Sequence, residues 1–155
     1  MAERTIFLSV RPVRKEGIAD SAIKPGHLVK RASDGKFDVH GVAGGVAQAA
    51  FAFEQELVNG ADVDTAYAQN DRLYYGVCSP GALVYAWLPA NASAVVIGDY
   101  LESNGDGTLR KHVPQTDTDG TGTPAIRTGQ IIAMATEAID NSSGGSPVRI
   151  IAEVL

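Results

Sequence analysis

The stretch AVVIGDYLESNGDGTL, residues 94–109, decides the predicted fold. β-Branched residues fill its first part, and Gly98-Asp99 interrupts them before Tyr100-Leu101 resumes the pattern. Two turn-forming pairs, Asn104-Gly105 and Asp106-Gly107, then precede a new apolar run at the end of the stretch. Strand-forming residues on both sides of Asn-Gly and Asp-Gly pairs are typical of a β-hairpin, in which glycine provides the positive φ of the turn. We therefore predict a hairpin here.

A unit of glycine, a polar residue and two apolar residues recurs along the chain. It occurs at Gly26-His27-Leu28-Val29, Gly98-Asp99-Tyr100-Leu101 and Gly129-Gln130-Ile131-Ile132, and more loosely at Gly81-Ala82-Leu83-Val84. The irregular spacing excludes a solenoid repeat. We interpret the unit as one way of starting a strand, used several times around one β-barrel or sandwich. The alternative is that glycine before a strand is common in any β protein.

Length and composition indicate one mainly β domain. A chain of 155 residues is long enough to bury its own core, and 17 glycines and seven prolines among short apolar runs favour strands over long helices. We predict a small single-domain β-barrel or sandwich with an extended N-terminal arm and at most one or two short helices. Residues 22–155 would form the barrel, and residues 1–21 would form the arm or an edge strand.

The segment VAQAAFAFEQELV, residues 46–58, fits two structures. Its apolar residues match a helical stripe, and Phe51, Phe53 and Leu57 against Glu54 and Glu56 match the alternation of a strand. The β-rich surroundings favour the strand slightly. Both glutamates would then share one face, which we expect to be solvated.

The charge of the chain argues against nucleic acid and membrane as partners. Thirteen Lys and Arg face 18 Asp and Glu, a net charge of −5, whereas phosphate binding needs clustered cations. The first 36 residues reverse this balance, with eight basic residues against four acidic ones. A basic leading segment on an acidic body suggests an arm that docks on an acidic partner. No apolar run approaches the length of about 20 residues that spans a bilayer, and we expect no secretory signal.

No pattern of residues points to an enzyme, a metal site or a cofactor. The histidines are far apart in sequence, at His27, His40 and His112. The lone Cys78 excludes an intrachain disulfide and a thiolate metal cluster. The run DTAY at residues 64–67 contains the D-x-x-Y core of a dUTPase motif, but Gln69 and Asp71 do not fit that motif. We therefore expect no catalytic residue, no cofactor and no metal.

Six short motifs, taken in order, resemble the head decoration (cement) proteins of tailed bacteriophages. They are IKPGHLV (23–29), VHGVAGG (39–45), FAFE (51–54), DTAYA (64–68), PGALV (80–84) and GDYLESNGDGTL (98–109). The resemblance runs from about residue 23 to residue 134. It implies a small β-barrel that binds the outer surface of an assembled capsid, with the major capsid protein as partner and self-association as a dimer or trimer. Such a protein is made in the cytoplasm of the bacterial host and ends on the outside of the virion.

Other functions stay open beside this one. A tail or baseplate β module of a virion is the main alternative, and a small-ligand-binding or dUTPase-like barrel is a further one. Under the decoration hypothesis, capsid or subunit contacts come from the arm and from one strand. We expect basic residues to steer the arm, apolar residues to supply its buried contacts, and two aromatic residues to be either core or interface anchors. The basic candidates are Arg4, Arg11, Arg14 and Lys15, the apolar candidates are Ile6, Phe7 and Leu8, and the aromatic candidates are Tyr85 and Trp87.

Overall fold

The computed structural model describes residues 5–9, 11–55, 62–114 and 130–155. These residues form ten strands and no helix, which confirms the prediction of a mainly β domain. The strands are β1 (Val13–Ile18), β2 (Val29–Arg31), β3 (Phe37–Val39), β4 (Ala50–Ala52), β5 (Arg72–Val77), β6 (Leu83–Leu88), β7 (Tyr100–Ser103), β8 (Leu109–Lys111), β9 (Ile131–Ala135) and β10 (Val148–Val154). The described part of the chain contains no helix that could cross a membrane.

The strands assemble into three antiparallel sheets. A five-stranded sheet has the order β6-β10-β9-β7-β8, a three-stranded sheet has the order β1-β5-β4, and β2 pairs with β3. Within the described residues the sheets do not close into a barrel, and the sandwich alternative is consistent with them. Chain neighbours such as β4 and β5 pair directly, whereas β10 reaches back to lie between β6 and β9.

The predicted hairpin is present, but it begins later than the apolar run suggests. β7 pairs with β8 through Leu101↔Lys111 and Ser103↔Leu109, and Gly105 and Gly107 have φ of 91° and 83°. The run at residues 94–97 is not a strand. It makes one bridge, from Val95 to Ile139, and then turns.

The recurring glycine units start strands, as predicted, and the structure shows how. Lys24-Pro25-Gly26-His27 and Ser79-Pro80-Gly81-Ala82 are turns in which the last N–H donates to the first carbonyl, at 3.0 and 3.1 Å. Proline in the second position and a glycine with φ of 84° or 85° in the third are the signature of a type II turn. β6 begins two residues after Gly81, and β2 three residues after Gly26. The unit at Gly129 lies outside the described residues.

Two apolar cores share β4. The main core lies on the inner face of the five-stranded sheet and includes Phe51, and the second core lies between the three-stranded sheet and the β2–β3 hairpin and includes Ala50 and Ala52. All three residues of β4 are at most 2% exposed. A strand that is buried on both faces has no polar side, so its sequence does not alternate. This explains why residues 46–58 fit two patterns. Within their described part, residues 46–55, the structure forms the strand β4, and Glu56 and Leu57 lie outside the described residues.

The N-terminal residues join the two larger sheets at their edges. Residues 5–9 lie along β6, where Tyr85 N–H donates to the Ile6 carbonyl (2.8 Å) and Leu8 N–H donates to the Leu83 carbonyl (2.9 Å). β1 then lies on the edge of the three-stranded sheet, against β5. Residues 5–9 thus lie beside the edge strand of one sheet, and β1 is the edge strand of the other.

Candidate functional site

The nine predicted contact residues do not form one surface. Arg4 lies outside the described residues. Ile6 is fully buried, and Leu8 is bound to β6 through its backbone. Phe7, Arg11 and Arg14 come together in one groove, Lys15 lies on the opposite face of β1, and Tyr85 and Trp87 pack under a buried arginine.

The first site is the N-terminal groove, a depression of about 430 Å³ between residues 5–14 and the chain just after β4. It is lined by Thr5, Phe7, Ser9, Arg11, Pro12, Arg14, Phe53 and Glu54. Two of these residues, Phe7 and Pro12, pack against Gly76 of β5, which has no side chain. A Cβ on Gly76 would lie 2.5 Å from Pro12 Cγ and 2.7 Å from Phe7 Cζ, so any larger residue would force these side chains to move.

Aromatic rings and arginines form one wall of this groove. The rings of Phe7 and Phe53 lie 4.3 Å apart between centroids, at an angle of 53°. The Arg14 guanidinium lies 5.1 Å from the centre of the Phe53 ring and 4.7 Å from that of Tyr74. Such cation–π contacts stabilise the position of the Arg14 guanidinium beside the two rings.

Glu54 closes the inner end of the groove and fastens the N-terminal residues. It is 7% exposed, which corrects the expectation that it is solvated. Its two carboxylate oxygens accept hydrogen bonds from the Thr5 hydroxyl (2.6 Å) and from Ile6 N–H (3.0 Å). Both oxygens are thus engaged with the N-terminal residues, and the exposed Arg11 lies in the same groove as the Phe7 and Phe53 rings.

The aromatic pair Tyr85 and Trp87 belongs to a second, structural cluster around Arg149. The Arg149 guanidinium lies 3.9 Å from the centre of the Trp87 ring and 5.1 Å from that of Tyr85. Trp87 Nε1–H donates to the Pro25 carbonyl at 2.8 Å. Of the two alternatives for this pair, the packing favours structural residues over exposed anchors.

Arg149 joins three parts of the chain. Its side chain is 8% exposed, and it donates to the carbonyls of Pro25 and Tyr85 (both 3.1 Å), to the Val63 carbonyl, and to Asp64 Oδ1 at 3.0 Å. The guanidinium therefore ties the turn at residues 24–27 and the loop at residues 62–67 to β6. Sequence reasoning missed this residue. Its one signal was an arginine within the apolar run of β10.

The DTAY run at residues 64–67 has a structural role in this arrangement. Asp64 binds Arg149, and the Tyr67 hydroxyl donates to the Phe53 carbonyl at 3.0 Å. Burial raises the pKa of Tyr67 to about 12, so this hydroxyl stays protonated and keeps its bond. The run thus joins the loop to both the Arg149 cluster and the end of β4.

The histidines lie in separate settings. His112 Nδ1 lies 2.6 Å from Glu102, a buried carboxylate that also binds Arg110 at 2.7 Å. His40 contacts the Ser103 hydroxyl, and burial lowers the pKa of His40. Among the described residues, no group of three His, Cys, Asp or Glu side chains is placed to hold a metal ion.

No protein family model matches the chain, and no curated protein sequence matches it. Among solved structures, the chain is similar to the N base of the head fibre gp8.5 of bacteriophage phi29. The TM-score is 0.47 and the identity is 16%, over 92% of this chain and 97% of that chain. A likeness this distant carries no inference about what the present chain does.

Proposed function

We propose that this protein is a structural component of a tailed-phage virion, and more specifically a decoration (cement) protein of the head. It binds the outer surface of the assembled shell, bridges neighbouring major capsid subunits and has no catalytic activity. Binding to the assembled shell and not to free subunits stabilises the shell by mass action, since every bound copy lowers the free energy of the assembled form alone.

The observation that supports this proposal most is the role of the motifs that resemble decoration proteins. IKPGHLV and PGALV contain the two Pro-Gly turns that start β2 and β6, and GDYLESNGDGTL contains the β7–β8 hairpin. DTAYA supplies Tyr67, which is buried and donates its hydroxyl proton to the Phe53 carbonyl. The resemblance therefore lies at residues on which this fold depends, and a shared fold is what it implies.

The N-terminal groove is the surface that we assign to shell binding. Arginines and aromatic residues are enriched among the residues that contribute most to protein interfaces. Arg11 is exposed, and Phe7 and Phe53 are half-buried beside it. Because the groove is held between two sheets, its residues lose little conformational entropy when a partner binds.

The test is binding to heads purified from the corresponding phage. Purified protein is mixed with mature heads and, separately, with free coat subunits, and the bound fraction is measured by co-sedimentation. We expect saturable binding to heads and none to free subunits. Electron microscopy of decorated heads then locates the density and gives its copy number, and sedimentation of the free protein distinguishes monomer, dimer and trimer.

A charge-reversal pair tests the assigned surface. We expect Arg11→Glu with Arg14→Glu to lower head affinity at least tenfold. The control is Arg72→Glu, which changes an exposed arginine at the far end of the same two strands, where its ion pair with Glu16 is 3.5 Å long and solvated. Density on the tail or baseplate, or no binding to any particle, would refute the head proposal. If the double variant and the wild type bind heads with equal affinity, the N-terminal groove does not contribute to head binding.

A further inference from the structure

We propose that a second groove, on the opposite face of the three-stranded sheet, binds a short acidic segment of a shell subunit. This inference rests on the proposed function and adds a second contact to it. The basic groove has a volume of about 470 Å³. Its lining is Lys15, Val29, Lys30, Arg31, Phe37, His40, Val42, Val46, Ala47, Gln48, Ala50 and Tyr75.

The charge of this groove is opposite to that of the chain. Lys15, Lys30 and Arg31 are exposed, and none of the lining residues is Asp or Glu. The whole chain has a net charge of −5, whereas the charged side chains among these lining residues are all basic. Such a field attracts an acidic partner and orients it during encounter.

The floor of the basic groove is apolar and rigid. Val29 and Ala50 are each 2% exposed, and the Phe37 and Tyr75 rings contact each other at 4.4 Å between centroids. Two exposed valines, Val42 and Val46, lie among the other lining residues. An apolar floor with cations at the rim fits a segment in which acidic residues alternate with apolar ones.

His40 fixes the loop that carries these valines. Its Nδ1 lies 2.7 Å from the Ser103 hydroxyl and its Nε2 lies 3.1 Å from the Val46 carbonyl. The Val46 carbonyl can only accept, so Nε2 carries the proton, and Nδ1 of the neutral ring accepts from the Ser103 hydroxyl, whose oxygen accepts from Gly105 N–H. A neutral imidazole satisfies both bonds, and the positive charge of the groove then comes from its lysines and arginine.

The two grooves lie back to back. Arg14 of the N-terminal groove and Lys15 of the basic groove are consecutive residues of β1, paired with Gly76 and Tyr75 of β5. Successive side chains of a strand point to opposite faces of the sheet, so the grooves face in opposite directions. One molecule thus has two contacts for two neighbouring subunits, and simultaneous use of both raises the overall affinity far above either one.

A nucleic acid fits the basic groove less well than an acidic peptide. Single strands are bound by exposed rings on which bases stack, but Phe37 and Tyr75 are only 6% and 8% exposed and face each other. The net negative charge of the chain also opposes a long polyanion. Carboxylates spaced along a peptide meet the three cations without this penalty.

The first test uses the full chain and a peptide probe. Acetyl-(Glu-Val)₃-amide is titrated into ¹⁵N-labelled protein, with acetyl-(Lys-Val)₃-amide and the oligonucleotide dT6 as comparison ligands. We expect amide shifts at residues 29–31 and 42–48 with the acidic peptide only. The double variant Lys30→Glu/Arg31→Glu should weaken binding about tenfold, because two attractive charges become repulsive toward the carboxylates of the peptide. Shifts elsewhere, or stronger binding of dT6, would overturn the proposal.

The second test separates this groove from the proposed function. The rate of dissociation from mature heads is measured for two double variants, Lys30→Glu/Arg31→Glu and Arg11→Glu/Arg14→Glu. The single variant Arg72→Glu is the control. We expect each groove variant to dissociate at least tenfold faster than the wild type. If the Lys30/Arg31 variant dissociates at the wild-type rate and the Arg11/Arg14 variant dissociates faster, the proposal for the basic groove is wrong and the proposed function stands. Peptide binding without head binding would support the groove and refute the proposed function.

Discussion

Replacing Arg149 by methionine should destabilise the fold strongly, because the guanidinium is the shared partner of three separate segments. Methionine keeps much of the apolar stem and removes only the charge and the donors. The change leaves the Val63 and Tyr85 carbonyls without their arginine N–H and removes the contact with the Trp87 ring at 3.9 Å.

The magnitude follows from burial. Hydrogen bonds to charged groups contribute roughly 1.5–3 kcal/mol each, and a desolvated cation–π contact contributes about 2 kcal/mol. These contributions are not additive within one cluster, and Asp64 is 67% exposed, so its ion pair adds little. We expect a loss of about 4 kcal/mol in the free energy of unfolding, and for a chain of this size a fall in Tm of about 10 °C.

Urea unfolding followed by the fluorescence of Trp87 measures this loss. Two further variants locate its source. Asp64→Asn should cost less than about 1 kcal/mol, since the Asp64 side chain is mostly solvated. Arg149→Lys keeps the charge but loses the planar fork, and should cost roughly half as much as Arg149→Met. Equal midpoints for Arg149→Met and the wild type, or an Asp64→Asn cost as large as that of Arg149→Met, would refute the reasoning.

Three further changes have outcomes that the structure fixes. Gly26→Ala should lower the Tm in thermal unfolding more than Gly35→Ala. Both glycines have positive φ, but of the two only Gly26 has close neighbours, since its Cβ would lie 2.6 Å from the Arg149 guanidinium and from the Tyr85 carbonyl. Equal falls in Tm would contradict this. Burial lowers the pKa of His27 from 6.5 to about 4. Between these pH values the unfolded chain binds a proton that the folded chain does not, so the free energy of unfolding should fall by up to about 3 kcal/mol as the pH drops from 6.5 to 4. His27→Gln should flatten that slope in urea titrations, and an unchanged slope would exclude His27 as its source. Partial burial raises the pKa of Cys78 to about 12, so iodoacetamide at pH 8 should label it far more slowly in the folded chain than after unfolding, and equal rates would contradict this reasoning.

Local turn chemistry made much of the fold predictable from sequence. The Pro-Gly turns before β2 and β6 and the turn between β7 and β8 depend on residues within four positions of one another, and the structure has all of them. The run at residues 94–97 was misleading, because β-branched residues favour a strand only where a partner strand lies alongside. Among the residues that the structure describes, Val96 and Ile97 have no partner strand, and they are 55% and 71% exposed.

The candidate site was less predictable, because it depends on contacts between distant parts of the chain. Phe7, Arg11 and Arg14 were chosen from the basic leading segment and do lie together, but Phe53 and Glu54, nearly 40 residues later, complete their groove. The burial of Glu54 follows from the N-terminal residues folding back over it, which no local pattern encodes.

The strand β4 makes the two grooves depend on each other. Ala50 lies in the floor of the basic groove, and Phe53, just beyond the end of the strand, forms a wall of the N-terminal groove. Since β4 also contributes to both cores, we expect the two cores to unfold together in one cooperative transition. If the two grooves bind as proposed, a molecule that loses one binding surface by unfolding loses the other with it.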